Sequence, residues 1–209
     1  MKHLTTLITI LFISLLSSPS LSETISLDDL VLRNDLYYKK FSDVPFTGKI
    51  TGIKSGNFRD GIRDGSWQVY RENGQLKRKG NYKDGEKDSL WELYYENGQI
   101  DVKGNYRNDK QDGLWEFYFD NGQINIKVNY KDGKLTGFRE DYNKNGQLFD
   151  KRNYKDGKLT GFREFYYENG QINIKGNYKD DKQEGLWETF NEDGSLEKTE
   201  TYRNGKVLE

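Results

Sequence analysis

The side chains best equipped for chemistry fall in one segment. Arg139, Asp141, Asp150 and Arg152 occupy positions whose counterparts elsewhere in the chain are mostly apolar or aromatic. Two Asp set opposite each other on adjacent strands could supply the acid and the base of a glycosidase-type reaction. The same four charges could instead line a polar notch for a charged ligand. A degenerate copy of a repeat, a local bulge or a hinge would also produce them, and imperfect copies are common in repeat arrays. A second set, Tyr70, Tyr94, Tyr118, Tyr142 and Tyr166, recurs at a fixed interval and forms either an aromatic recognition column or a buttress for the sheet. The acids Asp84, Asp132, Asp156, Asp180 and Asp181 could hold Ca²⁺, but lone Asp-Gly pairs are usually just turns.

Other chemistries are missing from the alphabet. The chain has no Cys, which removes thiol nucleophiles, disulfides and Cys-based metal sites. Its single His is His3, at the extreme N-terminus. Only carboxylate, Tyr, Lys or Ser chemistry would remain for an enzyme, so no catalytic residue, metal or cofactor is expected. With 33 basic and 34 acidic side chains there is no basic surplus to bind nucleic acid. No basic amphipathic helix is present either, which argues against membrane binding as a primary role.

The elements that must position these residues are strands. The 209 residues include 22 Gly and 14% aromatics but no Ala, a composition that favours strands and turns over helices. The first 22 residues stand apart: a basic start, an apolar run from Leu4 to Leu16, then small residues up to Ser22. That is the anatomy of a secretory signal peptide, and it implies an exported protein, periplasmic, envelope-bound or extracellular.

A 24-residue period organises the rest. Asn-Gly stands at 73–74, 97–98, 121–122, 145–146 and 169–170, and Asp193-Gly194 continues the series. Trp67, Trp91, Trp115 and Trp187 share one register, which Arg139 and Arg163 fill in the two intervening copies. Such a period denotes a quasi-one-dimensional array. Each copy reads as a hairpin: Trp115 to Asp120 runs out, Asn121-Gly122 turns as a two-residue loop, and Gln123 to Tyr130 returns. The domain boundaries expected are a signal peptide at 1–22, an N-terminal capping segment at 23–45 and the array at 46–209. The array holds a shortened first copy (46–61) and then six full ones.

That register makes predictions. It sets Trp115 against Val128, Phe117 against Ile126 and Glu116 against Lys127, and puts Trp115, Phe117, Phe119, Ile124, Ile126, Val128 and Tyr130 on one face. On the other face it pairs Glu92 with Lys103, Glu140 with Lys151 and Glu164 with Lys175, a solvated ladder that fixes register. It sets Asp141 against Asp150 and Arg139 against Arg152, leaving diagonal Arg–Asp pairs to compensate. Where Trp67 faces Gly80 and Trp91 faces Gly104, the missing side chain makes room for the indole. About twelve strands are expected, with an apolar face too large for a soluble monomer to leave bare. Curling of the sheet, a second copy or a partner would each cover it. Before the array, a hairpin about Asn34-Asp35 is expected to cap the first open edge.

The string Gly-Leu-Trp-Glu-x-Tyr-Tyr-Glu-Asn-Gly-Gln-Ile/Leu-x-x-Lys-Gly-Asn-Tyr-Lys-Asp-Gly, nearly complete at 89–109, 113–133 and 161–181, resembles the MORN-variant repeat of bacterial proteins labelled YwqK-type antitoxins. The leader Tyr37-Tyr38…Pro45-Phe46-Thr47-Gly48-Lys49 is similar to the segment that opens such proteins, so the resemblance spans roughly residues 30–205. It implies an all-β, elongated, single-layer antiparallel sheet of tandem hairpins, curved or twisted, and a module for protein interaction.

The function expected is an exported, non-enzymatic scaffold binding an unknown protein, with a homodimer through the apolar face as one possible assembly. A cell-wall or glycan-binding repeat is the alternative, because aromatic hairpins can stack on such ligands.

Overall fold

In the computed structural model, residues 23–208 are described; residues 1–22, the segment expected to be a signal peptide, lie outside the described residues. Sixteen strands form one sheet in chain order, except that Thr24–Ser26 is added in parallel beside Gly48–Thr51 at the first edge. The excess over the expected twelve comes from that cap and from short strands at each end. The array alternates nine-residue outbound strands, such as Lys110–Tyr118, with eight-residue return strands, such as Ile124–Lys131. A separate hairpin, Leu30–Arg33 with Leu36–Lys39, forms around Asn34-Asp35 as expected, but it does not cap the first edge, which Thr24–Ser26 occupies; it makes its own two-stranded sheet. It docks by a hydrogen bond from Tyr37 N–H to Gly61 O (2.9 Å) and by ring contact between Tyr37 and Phe58. Leu30, Phe46, Ile50, Phe58 and Trp67 close a small core there. The opposite edge ends in the two-residue strand Lys206–Val207, short enough to offer little template for further pairing.

The central register is the expected one, with Trp115 opposite Val128, Glu116 opposite Lys127 and Phe117 opposite Ile126. The hairpin tips differ. Phe119 N–H donates to Gln123 O, and Gly122 N–H donates to Phe119 O. Only Gly122 has a positive φ, 84°, so the tip is a three-residue loop on a type I turn closed by a bulge. The Asn121 side chain selects this form, since its Oδ1 accepts the Gln123 N–H at 3.0 Å. The pairing slips by one beyond Phe117, so Tyr118 faces Ile124. The connections between hairpins are the two-residue turns: Asp132 and Gly133 both have positive φ (49° and 80°), the type I′ pattern.

A second irregularity bends every outbound strand. Between Asp112 and Trp115 the register shifts, and Gly113 there has φ 81°. The bend folds each Asp-Gly turn back over the array, so that Gly133 N–H donates to Gln111 O at 2.9 Å and Gly85 N–H to Arg63 O at 3.0 Å. Curling thus covers the Trp row within one chain. Trp67, Trp91, Trp115 and Trp187 are only 3–7% exposed.

Each buried indole lies on a glycine of the preceding strand. A Cβ on Gly56, Gly80, Gly104 or Gly176 would fall 2.2–2.4 Å from the ring of Trp67, Trp91, Trp115 or Trp187 respectively. The expectation placed Trp67 over Gly80 and Trp91 over Gly104, one strand too far along; the rings lean the other way, onto Gly56 and Gly80. Each indole Nε1 donates to the carbonyl beyond that glycine, at Asn57, Asn81, Asn105 and Asn177 (3.0–3.2 Å). Tyr rings stand between successive Trp rings, mostly edge to face, as in Trp91–Tyr106–Trp115–Tyr130 with centroids 5.0–6.2 Å apart. Pairs of this kind contribute about 0.5–1.5 kcal/mol each beyond area burial.

Candidate functional site

Alternation along the strands separates the two candidate sets onto opposite faces. The Tyr column stands on the outer face, half-buried, and each hydroxyl is engaged. Tyr94, Tyr118, Tyr142 and Tyr166 donate to Glu92, Glu116, Glu140 and Glu164, two residues back on the same strand, at 2.7–3.2 Å. Tyr70 donates to Gln68 Oε1 at 2.6 Å. Burial first, and the Glu140 hydrogen bond second, push the Tyr142 hydroxyl up to about 12. Tyr166 is raised for the same reasons. Lysine ammonium groups sit over the rings of Tyr94, Tyr118 and Tyr142, 5.3–5.8 Å from the centroids. The column therefore braces the charge ladder.

The ladder itself departs from expectation in its partners. Glu92 and Lys103 are register neighbours, yet Glu92 pairs with Lys79 on the preceding strand at 2.6 Å. Glu116 takes Lys103 (2.9 Å) and Glu188 takes Lys175 (3.0 Å), while Glu140 takes Lys151 as expected (3.1 Å). Glu92, Glu116 and Glu140 each have a Lys on both sides, so register permits either choice, whereas Glu188 has Lys175 on one side and Thr199 on the other. Beside the ladder runs an apolar row: Leu90, Leu114, Phe138 and Leu186 are 44–52% exposed. Shallow depressions lie on this face near both ends. One of about 390 Å³ is lined by Thr51, Asn57, Ser66 and Tyr70, and one of about 250 Å³ by Phe162, Lys175, Leu186 and Glu188.

Arg139, Asp141, Asp150 and Arg152 gather on the inner face, where the Trp row is interrupted, and Arg163 joins them. Asp141 and Asp150 are opposite each other, as are Arg139 and Arg152, in the expected register. The diagonal contacts decide the outcome. Arg139 binds Asp141 in a two-pronged contact (Nε–Oδ2 2.9 Å, Nη2–Oδ1 2.7 Å). Arg152 Nη2 bridges Asp141 at 2.7 Å and Asp150 at 3.1 Å, and Arg163 reaches Asp150 at 2.9 Å. The carboxylates are nearly fully buried, at 5% and 2% exposure. Burial alone would raise the Asp141 carboxyl, but hydrogen bonds from Arg139 and Arg152 outweigh it and hold the group below the usual range. A general acid needs the opposite shift. The network fills the place of the aromatic core with paired charge.

A third group was not singled out from the sequence. Lys54, Arg63 and Arg78 surround a small hollow on the inner face walled by Trp67, Tyr82 and Trp91. Arg78 fills the same template position as Val102, Ile126 and Asp150, a departure of the kind that exposed the polar copy.

No curated protein matches the chain. Among solved structures, a chain in the crystal structure of the GtfA/B complex bound to UDP and GlcNAc is similar at 16% identity and a TM-score of 0.23. The match covers 55% of this chain and 22% of that one. The family model described as the MORN repeat variant matches residues 63–84, 87–108, 111–132, 159–180 and 183–207, passing over the polar copy. Those segments make up more than half of the sequence, carry the Trp-on-Gly hairpins seen in the fold, and show that the chain belongs to the MORN repeat variant family.

Proposed function

We propose that the protein is an exported, non-catalytic scaffold that binds another protein through its outer sheet face. One observation carries this reading: the row of exposed Leu90, Leu114, Phe138 and Leu186 repeats at the array period beside an ordered Glu–Lys–Tyr ladder. Interfaces combine such an apolar, aromatic centre with a polar rim. The row is rigid, because the ladder fixes the strands beneath it, so little ordering entropy opposes docking. Export is supported by the basic, apolar and small-residue sequence of residues 1–22.

The test uses immobilised protein without residues 1–22 and envelope extract. The wild type should retain a stoichiometric protein, and Leu114→Glu with Phe138→Glu should lose it while keeping the wild-type melting temperature. Retention by the double variant, or no specific capture under mild conditions, would refute the outer face as the docking surface.

A further inference from the structure

On the opposite face, independently of the scaffold role, we infer that the hollow beside Trp67 and Trp91 is a binding site for a small ligand carrying an oxyanion on a flat apolar body, of the aryl phosphate or aryl carboxylate class. Three cations converge on it. Arg63 lies over Trp67 and Tyr82, with its guanidinium carbon 5.2 and 5.4 Å from the ring centroids. Among the described residues, its Nη2 donates only to the Tyr37 hydroxyl (3.1 Å), and its Nε is buried without an acceptor. A guanidinium carries five N–H donors and the Tyr37 contact uses one, so donor capacity is left for an oxyanion. Arg78 and Lys54 complete the rim and are exposed.

Three cations meet here without a counter-charge. Among the described residues, Lys54, Arg63 and Arg78 have no carboxylate within ion-pair distance, while the neighbouring Arg59 and Lys79 are paired with Asp64 and Glu92. At the polar copy the template position of Arg78 holds Asp150, which neutralises Arg152 and Arg163. Here it holds another cation. The result is three positive groups over an aromatic wall, a composition that structural packing alone does not require.

Size and shape restrict the ligand. The hollow measures about 50 Å³, enough for one compact group of a few heavy atoms. Guanidinium groups bind planar or tetrahedral oxyanions through paired N–H donors. The aromatic walls then meet whatever carries the anion, and flat rings suit edge-to-face or stacked contact.

The probe is phenyl phosphate, compared with inorganic phosphate and with potassium chloride at matched ionic strength. Trp67 and Trp91 wall the hollow, so intrinsic fluorescence reports occupancy. Saturable binding of phenyl phosphate is expected, at least tenfold tighter than inorganic phosphate. Arg78→Gln and Lys54→Gln should each weaken it at least fivefold with an unchanged melting temperature. No saturation, equal affinity for the two phosphates, or undiminished binding by Arg78→Gln would each overturn the inference.

Discussion

Replacing Gly104 by Ala should destabilise the array through one identifiable contact. A Cβ at that position would lie 2.3 Å from Cδ2 and 2.4 Å from Cε2 of Trp115. Gly104 does not have a positive φ, so backbone strain plays no part. Loss of unfolded-chain freedom would by itself favour Ala by about 0.4–1 kcal/mol. The indole must therefore move. It is 3% exposed, donates to Asn105 O at 3.0 Å, and meets Tyr106 and Tyr130 edge to face. Forcing a methyl group into a packed site costs about 1–3 kcal/mol, and expelling the indole entirely would approach the about 3–5 kcal/mol of a Trp-to-Ala change. A net loss of about 2–4 kcal/mol follows, or about 4–16 °C in Tm for a chain of this size.

The assay is a double-mutant cycle read by thermal melts in circular dichroism and Trp fluorescence. Its second arm is Trp115→Arg, because the chain itself sets Arg139 after the non-glycine Val128. In that background Gly104→Ala should cost less than about 0.5 kcal/mol, since the atoms it strikes are gone. A Gly104→Ala shift under about 2 °C in the wild type, or a full-sized cost in the Trp115→Arg background, would refute indole-on-glycine packing.

Ser89, with φ 60°, holds the bend position that Gly65, Gly113, Gly137, Gly161 and Gly185 hold elsewhere. Ser89→Gly should raise stability by about 0.5–1 kcal/mol in the same melts. Asp141→Asn leaves half-buried Arg139 and Arg152 short of a charge at a buried carboxylate and should cost about 3–5 kcal/mol at neutral pH. Because the folded Asp141 carboxyl lies below its unfolded value, its stabilisation is present above about pH 4 and is lost as pH falls below that; Asp141→Asn should flatten the acid limb of a Tm–pH profile. Burial and the Glu140 hydrogen bond push the Tyr142 hydroxyl up to about 12 in the fold, against about 10 unfolded, so its contribution is present below about pH 10 and is lost as pH rises through about 12. Tyr142→Phe should reduce the alkaline drop in Tm.

The repeat made most of the fold legible, because one template error would recur in every copy and expose itself. Period-2 alternation found the Trp face and the register through Trp115–Val128 and Glu116–Lys127. What it missed were choices between near-degenerate local states. Asn-Gly fits a two-residue turn or a bulged three-residue loop equally well, and the Asn121 side-chain acceptor decides. Each Trp has register neighbours on two strands; the sequence held the deciding fact, since Trp115 is followed by Val128 but preceded by Gly104. The bend at Gly113, which lets the sheet cover its own Trp row, left no signal beyond another glycine. At the site, the polar copy was visible as a break in apolar alternation. The basic hollow escaped because its cations come from three strands and only Arg78 breaks the template.

The aromatic row and the ion network are two solutions to one packing problem, and they cannot be mixed residue by residue. A Trp needs glycine beneath it; the Arg139 and Arg163 positions follow Val128 and Arg152 instead. Changing Arg139 alone to Trp would meet the Val128 side chain and deprive Asp141 of its two-pronged partner. The polar copy therefore holds together as a block. Buried ion networks roughly break even against apolar packing, whereas each aromatic contact in the row adds cohesion. Cohesion in an array is a sum over neighbours, so the strands Lys134–Tyr142 through Lys158–Tyr166 join two aromatic stretches, Tyr37 to Tyr130 and Tyr178 to Tyr202, by the weakest link. Hydrogen exchange should then show backbone amides of 134–166 opening before those of 86–118. Equal or greater protection in the polar copy would mean that its charges bind the strands more tightly than the rings do.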